Sequence, residues 1–258
     1  MTPLKNKITL ITGATAGIGK ACANLFAQNG SDLILLARRE KLLSELKSEI
    51  ESKFKVNVYT LICDIRNSEE VKNSFSSLHE EIKKVDILIN NAGMARGIDK
   101  LQDGVIANWN EMIDTNVKGL LYITSEVLPY MIQYKKDNAH IINLGSTAGH
   151  EVYPGGNVYC ATKFAVRAIT KSLRMELLEH QIKVTTVDPG MVETDFSYVR
   201  FPNDPTRAKN VYNGLTPLVA EDIAETILFC ATRPKHVNIN EIVITPTAQA
   251  SSNFVVRK

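Results

Sequence analysis

Tyr159 and Lys163 stand four residues apart, and Ser146 lies thirteen residues before the tyrosine. On a helix, residues at that spacing share a face, so the lysine would sit beneath the phenol. A hydroxyl, a phenol and an ammonium are the groups needed to hold an oxygen and move its proton. The Tyr-x-x-x-Lys spacing alone says little, because it arises readily by chance. Its context says more. A glycine-rich run, Thr12-Gly13-Ala14-Thr15-Ala16-Gly17-Ile18-Gly19, follows one apolar, β-branched stretch, and Asn90-Asn91-Ala92-Gly93 follows another. Glycines let a phosphate approach the backbone, and a helix that starts there offers free N–H groups and a positive dipole end. Read alone, the glycine run could also be a plain tight connection.

About twenty residues on, where a dinucleotide site that prefers NAD presents a carboxylate to the ribose, the chain reads Ala37-Arg38-Arg39. Two guanidinium groups there suit a 2′-phosphate, which carries about −1.5 to −2 charges. NADP is therefore expected over NAD. The competing reading makes Arg38 and Arg39 solvated helix-start residues, one of them neutralised by Glu40.

The elements that must position these residues follow from periodicity. Short runs rich in Val, Ile and Leu alternate with longer stretches of helical period along the whole chain. Strands are expected near Lys7–Thr12, Asp32–Ala37, Asn57–Ile62, Val85–Asn90, Ala139–Leu144, Lys183–Val187 and Glu241–Ile244. Their continuous apolar content fits strands covered on both faces. The fold expected is α/β, one doubly wound Rossmann-type domain over residues 1–258, with about seven parallel strands and helices on both faces. Gly30 marks a left-handed helix end, and Asn67 with Glu70 spells a capping box. The stretches Trp109–Gln133 and Val158–Glu179 exceed what a strand crossover needs and are apolar on more than one face. A buried oligomer interface and a thick intramolecular core layer both explain that. From 194 to 217 the period lapses among prolines, Asn203 and Gly214, which reads either as a flap over the site or as a surface excursion.

Taken jointly, the glycine turn, Arg38, Asn90–Gly93, Ser146, Tyr159 and Lys163 resemble a short-chain dehydrogenase/reductase, and the resemblance covers essentially the whole chain. It implies that Gly13, Gly17, Ile18 and Gly19 hold the cofactor diphosphate with Thr15 also in the cofactor site, that Asp64 meets the adenine, and that Asn90, Asn91, Ala92 and Gly93 support the adenosine half. It further implies a catalytic group of Asn116, Ser146, Tyr159 and Lys163, with Asn116 positioning a water. Pro189, Gly190, Val192 and Thr194 would flank the nicotinamide. The chemistry is consistent with those roles. Lowering a phenol by about 3 pK units requires roughly 4 kcal/mol, which an ammonium about 4 Å away supplies at an effective dielectric near 20, with the positive charge of the oxidised nicotinamide assisting.

Within that family, Met112–Asn116, Gly145–Gly149, Gly156–Tyr159, Val192–Ser197, Val199–Phe201 and Pro246–Ser251 resemble the NADP-dependent 3-hydroxy acid dehydrogenases, also described as serine or allo-threonine dehydrogenases. Small 3-hydroxy acids, or the matching semialdehydes, are the implied substrates. Their carboxylate needs a cation. Arg200 is nominated from its position in the irregular segment, an ion pair elsewhere being the competing reading, and Tyr153 is expected to line the pocket in a stretch, His150–Pro154, where the chain departs from the subgroup. His150 reads as a pocket-wall or surface residue without a catalytic role. The competing functions are a short-chain reductase for a ketone, sugar or 3-oxoacyl substrate, and an NADP-sensing regulator.

Composition excludes other classes. Thirty basic and 28 acidic residues, scattered along the chain, leave a net charge of +2, which argues against nucleic acid or membrane partners. No run approaches the roughly 18 apolar residues of a membrane span, and the N-terminus lacks a signal-like apolar stretch, so a cytoplasmic protein is expected. Cys22, Cys63, Cys160 and Cys230 are spaced as buried thiols, with no metal site implied. The family and the long helices together suggest a homotetramer.

Overall fold

The computed structural model describes residues 3–134 and 139–258. Among them seven strands, β1 (Ile8–Thr12), β2 (Asp32–Ala37), β3 (Val58–Ile62), β4 (Ile87–Asn90), β5 (His140–Leu144), β6 (Lys183–Pro189) and β7 (Glu241–Ile244), form one parallel sheet. Their order across it is β3-β2-β1-β4-β5-β6-β7. The helices are α1 (Gly17–Gln28), α2 (Glu40–Lys53), α3 (Ser68–Ser76), α4 (Ile106–Ile113), α5 (Leu120–Tyr134), α6 (Asn157–Glu176), α7 (Phe196–Arg200), α8 (Pro205–Asn210) and α9 (Ala220–Ala231).

Successive strand residues point to opposite faces, and both faces are covered. Ile11, Leu33, Leu35, Ile87, Ile89 and Ile142 pack under Phe26 of α1, Ile50 of α2 and Ile227 of α9. Their neighbours Leu10, Ile34, Leu36, Leu88 and Ile141 pack under Phe75 of α3, Val127 of α5 and Leu173 of α6. This two-sided burial is why the strands read as unbroken apolar runs.

The expected boundaries shift where hydrogen bonds dictate. Before β4, Val85 turns back on Lys83, so the strand starts at Ile87. β6 runs on to Pro189 because Pro189 pairs with Ile244 after the ladder to β5 has ended at Val187. Gly30 ends α1 at φ +89°, as expected. Only half of the capping box forms. Asn67 accepts from the N–H groups of Glu69 and Glu70, but the Glu70 carboxylate takes the N–H of Asp64. The single long helix expected over Trp109–Gln133 is α4 and α5 joined by a π-helical turn, Asp114–Gly119, a wider winding that often marks functional positions. The segment from 194 to 217 holds two short helices, α7 and α8, whose five and six residues are too few to show a period. The four cysteines are buried and free.

Candidate active site

The strand order reverses between β1 and β4, and the loops beyond their carboxyl ends enclose a cleft of about 890 Å³. Open α/β sheets bind ligands at such a switch point. Gly13 (φ +66°) and Gly17 (φ +49°) shape its floor in the left-handed region. A Cβ on Gly17 would stand 3.3 Å from Thr194, so the bare turn lets the far wall approach. Thr15, Ile18, Ala92 and Gly93 also line the cleft. Gly19 does not. It sits behind the turn, where a Cβ would lie 2.4 Å from the Gly13 carbonyl, and so shapes the loop without facing a ligand.

Asn90 likewise lies behind the cleft. Strand alternation turns its side chain toward α5, where the amide donates to Thr124 Oγ1 at 3.0 Å and to Asn143 Oδ1 at 2.9 Å. The residue that ties the two turns together is Asn91. Its Nδ2 donates to the Thr12 carbonyl at 2.8 Å, and Thr12 Oγ1 accepts from the N–H groups of Asn91 and Ala92 at 3.0 Å.

Arg38 and Arg39 stand at the mouth beyond β2. Arg39 Nη2 donates to Thr15 Oγ1 at 2.9 Å, and Arg38 Nη1 lies 3.7 Å from Asp64 Oδ2. Burial alone would raise the Asp64 carboxyl, but hydrogen bonds from Arg66 hold it below its ordinary value. It is an anion gripped from one side and lining the cleft with the other. A glycine cradle at the head of α1 with two guanidinium groups beside it fits a dinucleotide bearing an additional phosphate, and neither arginine is spent on Glu40.

At the opposite end, Ser146, Tyr159 and Lys163 share one wall. Ser146 heads a turn after β5, its Oγ accepting from Ala148 N at 3.1 Å. Tyr159 and Lys163 both come from α6, with Lys163 Nζ 6.0 Å from the phenol ring centroid and donating to the Leu144 carbonyl at 2.9 Å. The expected acidification of the phenol is not a property of the protein alone. Burial raises Tyr159 above its ordinary value and Tyr153 adds to that, outweighing a hydrogen bond with Ser146 and the charge of Arg200. Desolvation of the buried phenolate opposes the attraction of the ammonium.

The same burial lowers Lys163 from 10.5 to about 8, against a raising influence from Asp188. In nucleotide-free protein the lysine thus binds its proton less readily folded than unfolded. The penalty is full below about pH 8 and is relieved as pH rises toward 10.5, so stability increases across that window. Lys163→Met is expected to remove about 3 kcal/mol of this rise. Denaturant unfolding of both proteins at a series of pH values measures it; equal slopes would contradict it.

Asn116, expected beside the reacting groups, is buried on the π-helical turn and does not line the cleft. Its Oδ1 accepts from Met94 N, and its Nδ2 donates to Met94 O and Thr162 Oγ1, at 2.8, 2.8 and 3.0 Å. Its side chain is therefore a tether between the chain after β4 and α6, with both amide hydrogens engaged and one acceptor position left on Oδ1.

Pro189, Gly190, Val192 and Thr194 form the facing wall, anchored where Gly190 N meets Ile244 O at 2.8 Å and Val192 bridges Leu218. Beyond them α7 brings Phe196 and Arg200 over the phenol. The Phe196 ring is 5.8 Å from that of Tyr159, and the Arg200 guanidinium lies 5.7 Å from the Tyr159 ring and 5.6 Å from that of Tyr153. Arg200 Nη2 donates to Tyr153 Oη at 3.0 Å, and Nε to the Gly97 carbonyl at 2.9 Å.

His150 lies outside the cleft, its Nε2 2.9 Å from Asp188 Oδ2 and 3.3 Å from Glu241 Oε1. Arg167 Nε donates to the same Glu241 oxygen at 2.6 Å, so Glu241 is ion-paired with Arg167 behind the cleft wall. Sequence reasoning placed Asn91 at the cofactor without its tie to the glycine turn, and missed Thr12, Arg96 and Asp188. Asp188 explains Gly145, whose Cβ would fall 1.7 Å from its carboxylate.

A Rossmann sheet with a glycine cradle at one end and a serine, tyrosine and lysine at the other defines a nucleotide-dependent oxidoreductase. The chain belongs to the short chain dehydrogenase family, whose model matches residues 7–204. It is 45% identical to an NADP-dependent 3-hydroxy acid dehydrogenase of Schizosaccharomyces pombe, over 100% of this chain and 99% of that protein. Identity to sulfoacetaldehyde reductase 2 of Chromohalobacter salexigens is also 45%, over 96% and 98%. Among solved structures, the closed form of a serine dehydrogenase complexed with NADP⁺ superposes with a TM-score of 0.90 at 41% identity, covering 97% of this chain and 99% of that one.

Proposed function

We propose that the protein is an NADP-dependent dehydrogenase of small 3-hydroxy acids. NADP, which Gly13, Gly17, Arg38 and Arg39 would hold, would supply the acceptor for the hydride leaving the hydroxyl-bearing carbon. Ser146 holds the substrate oxygen by a hydrogen bond, Tyr159 takes the hydroxyl proton, and Lys163 beneath it keeps positive charge on that side of the phenol. Arg200 binds the carboxylate. The single observation that carries the substrate reading is its guanidinium, 5.7 Å from the Tyr159 ring and leaning on Tyr153. The S. pombe relative and the serine dehydrogenase support the same class. A second reading, an aldehyde bearing a sulfonate, draws on the C. salexigens relative, since one arginine suits either anion.

The test follows NADPH formation from 3-hydroxyisobutyrate and from its uncharged methyl ester. Arg200→Glu is expected to raise KM for the acid by roughly 100-fold, the loss of a charge-assisted contact plus repulsion. An equal loss for acid and ester would overturn the carboxylate assignment.

The partners and location are proposed more broadly. Exposed apolar side chains on α5 and α6, Leu121 and Phe164, and on α9 and β7, Phe229 and Val243, support a homotetramer, a state that a light-scattering mass registers. Among the described residues no helix is long and apolar enough to cross a membrane; we propose a cytoplasmic enzyme. The segment from 194 to 217 is proposed to act as a flap, because it carries Arg200 while its base is pinned at Val192 and Leu218.

A further inference from the structure

Arg200 works as a substrate cation only if α7 is held at a fixed distance from the cleft, and a five-residue helix cannot fix itself there. Its last carbonyls have no partner within the helix. Two of them find partners on the segment after β4. The backbone N–H of Gly97 donates to the Arg200 carbonyl at 2.9 Å, and Arg96 Nη1 donates to the Val199 carbonyl.

Arg96 is itself clamped. Its Nε donates to Glu111 Oε2 at 2.7 Å and its Nη2 to Glu111 Oε1 at 3.2 Å, a bidentate pair. Glu111 projects from α4 and is braced on its other side by Arg66 Nη1 at 3.3 Å, the same arginine that grips Asp64. Both members of the Arg96–Glu111 pair are about four-fifths buried, so the contact is only weakly screened by solvent. A guanidinium at a helix C-terminus also complements the dipole there. Although Arg96 lines the cleft, each of its three guanidinium nitrogens donates to Glu111 or to α7.

We propose that Arg96 and Glu111 are a positioning pair. Glu111 fixes Arg96, Arg96 holds the carboxyl end of α7, and that hold aims Arg200 at the anionic group of the substrate. The pair never touches substrate; it sets specificity through Arg200, and so rests on the carboxylate reading given above.

The experiment compares Arg96→Leu, Arg96→Lys and Arg200→Gln with the full-length parent, using 3-hydroxyisobutyrate and its methyl ester. With Arg96→Leu, KM for the acid is expected to rise about tenfold, the ester rising no more than about twofold, as one charge-assisted hydrogen bond is lost at a distance from the substrate. Arg96→Lys keeps a charge but not the two-pronged grip and should recover part of that loss. Hydrogen exchange supplies a readout independent of turnover: amides of residues 196–201 exchange faster in Arg96→Leu, while NADPH affinity by fluorescence is retained. Should Arg96→Leu not fold, Glu111→Gln, which keeps the side-chain shape, takes its place. If Arg200→Gln weakens acid and ester equally, the carboxylate reading falls and the positioning pair with it. If Arg200→Gln is selective for the acid but Arg96→Leu leaves both the acid KM and the exchange of α7 unchanged, the positioning pair alone is overturned.

Discussion

Tyr159→Phe is expected to lower kcat for a 3-hydroxy acid by about three orders of magnitude, within the range of a lost general acid–base group, while NADPH binding survives. The asymmetry follows from where the phenol stands. Its ring packs against Phe196 and forms part of the cluster with Ala95, Met112, Ala148 and Cys160, all of which a phenylalanine ring preserves. Only the oxygen, with its hydrogen bond to Ser146, is removed. Stopped-flow turnover and NADPH fluorescence titration separate the two effects. A Phe variant that kept a tenth or more of the activity would remove Tyr159 from the chemistry, and one that lost NADPH binding would show that the substitution disturbed the cleft.

The second large effect is expected at the other end. Arg38→Ala combined with Arg39→Ala should weaken NADP by roughly 100-fold, two charge-assisted contacts discounted for exposure, and leave NAD within about threefold, since NAD lacks the phosphate they face. Arg38 is 58% exposed, and its ion-pair partner Asp64 stands 3.7 Å away and is already held by Arg66, so little of the fold depends on it. Arg39 gives up one hydrogen bond to Thr15. Dissociation constants for both nucleotides with the double variant decide the matter; an equal loss for NADP and NAD would refute the phosphate reading.

Much of this architecture was legible in the residues themselves. Strands covered on both faces announce themselves as apolar runs, and Gly30, Gly13 and Gly17 stand where the backbone turns left-handed. Ser146, Tyr159, Lys163, Arg38 and Arg39 converge on one cleft because each follows a strand or rides the helix after one. What escaped was set by tertiary contact. Nothing in the run Asn90-Asn91 says which amide faces the turn; strand alternation sends Asn90 toward Thr124 and leaves Asn91 to bridge Thr12. The resemblance implies a catalytic Asn116, but nothing local says that its amide also ties Met94 to Thr162. The π-helical turn that carries it has no period distinct from its flanking helices over six residues. Arg96 and Glu111, fifteen apart in sequence, meet only because the chain after β4 passes α4 on its way to the flap. The burial that raises Tyr159 in the nucleotide-free protein is hidden for a related reason, as it depends on neighbours such as Tyr153 and Phe196 that no local spacing reveals.

The claim on which the proposed chemistry depends is that the Tyr159 oxygen carries the substrate proton, and the pH profile of NADPH formation in a single turnover, at saturating NADP and 3-hydroxyisobutyrate, tests it most directly. The expected result is a rate that climbs with pH through one ionisation in the parent enzyme and a flat, nearly absent rate in Tyr159→Phe. A Phe variant that retained the same rising limb would place the ionising group elsewhere and contradict the assignment.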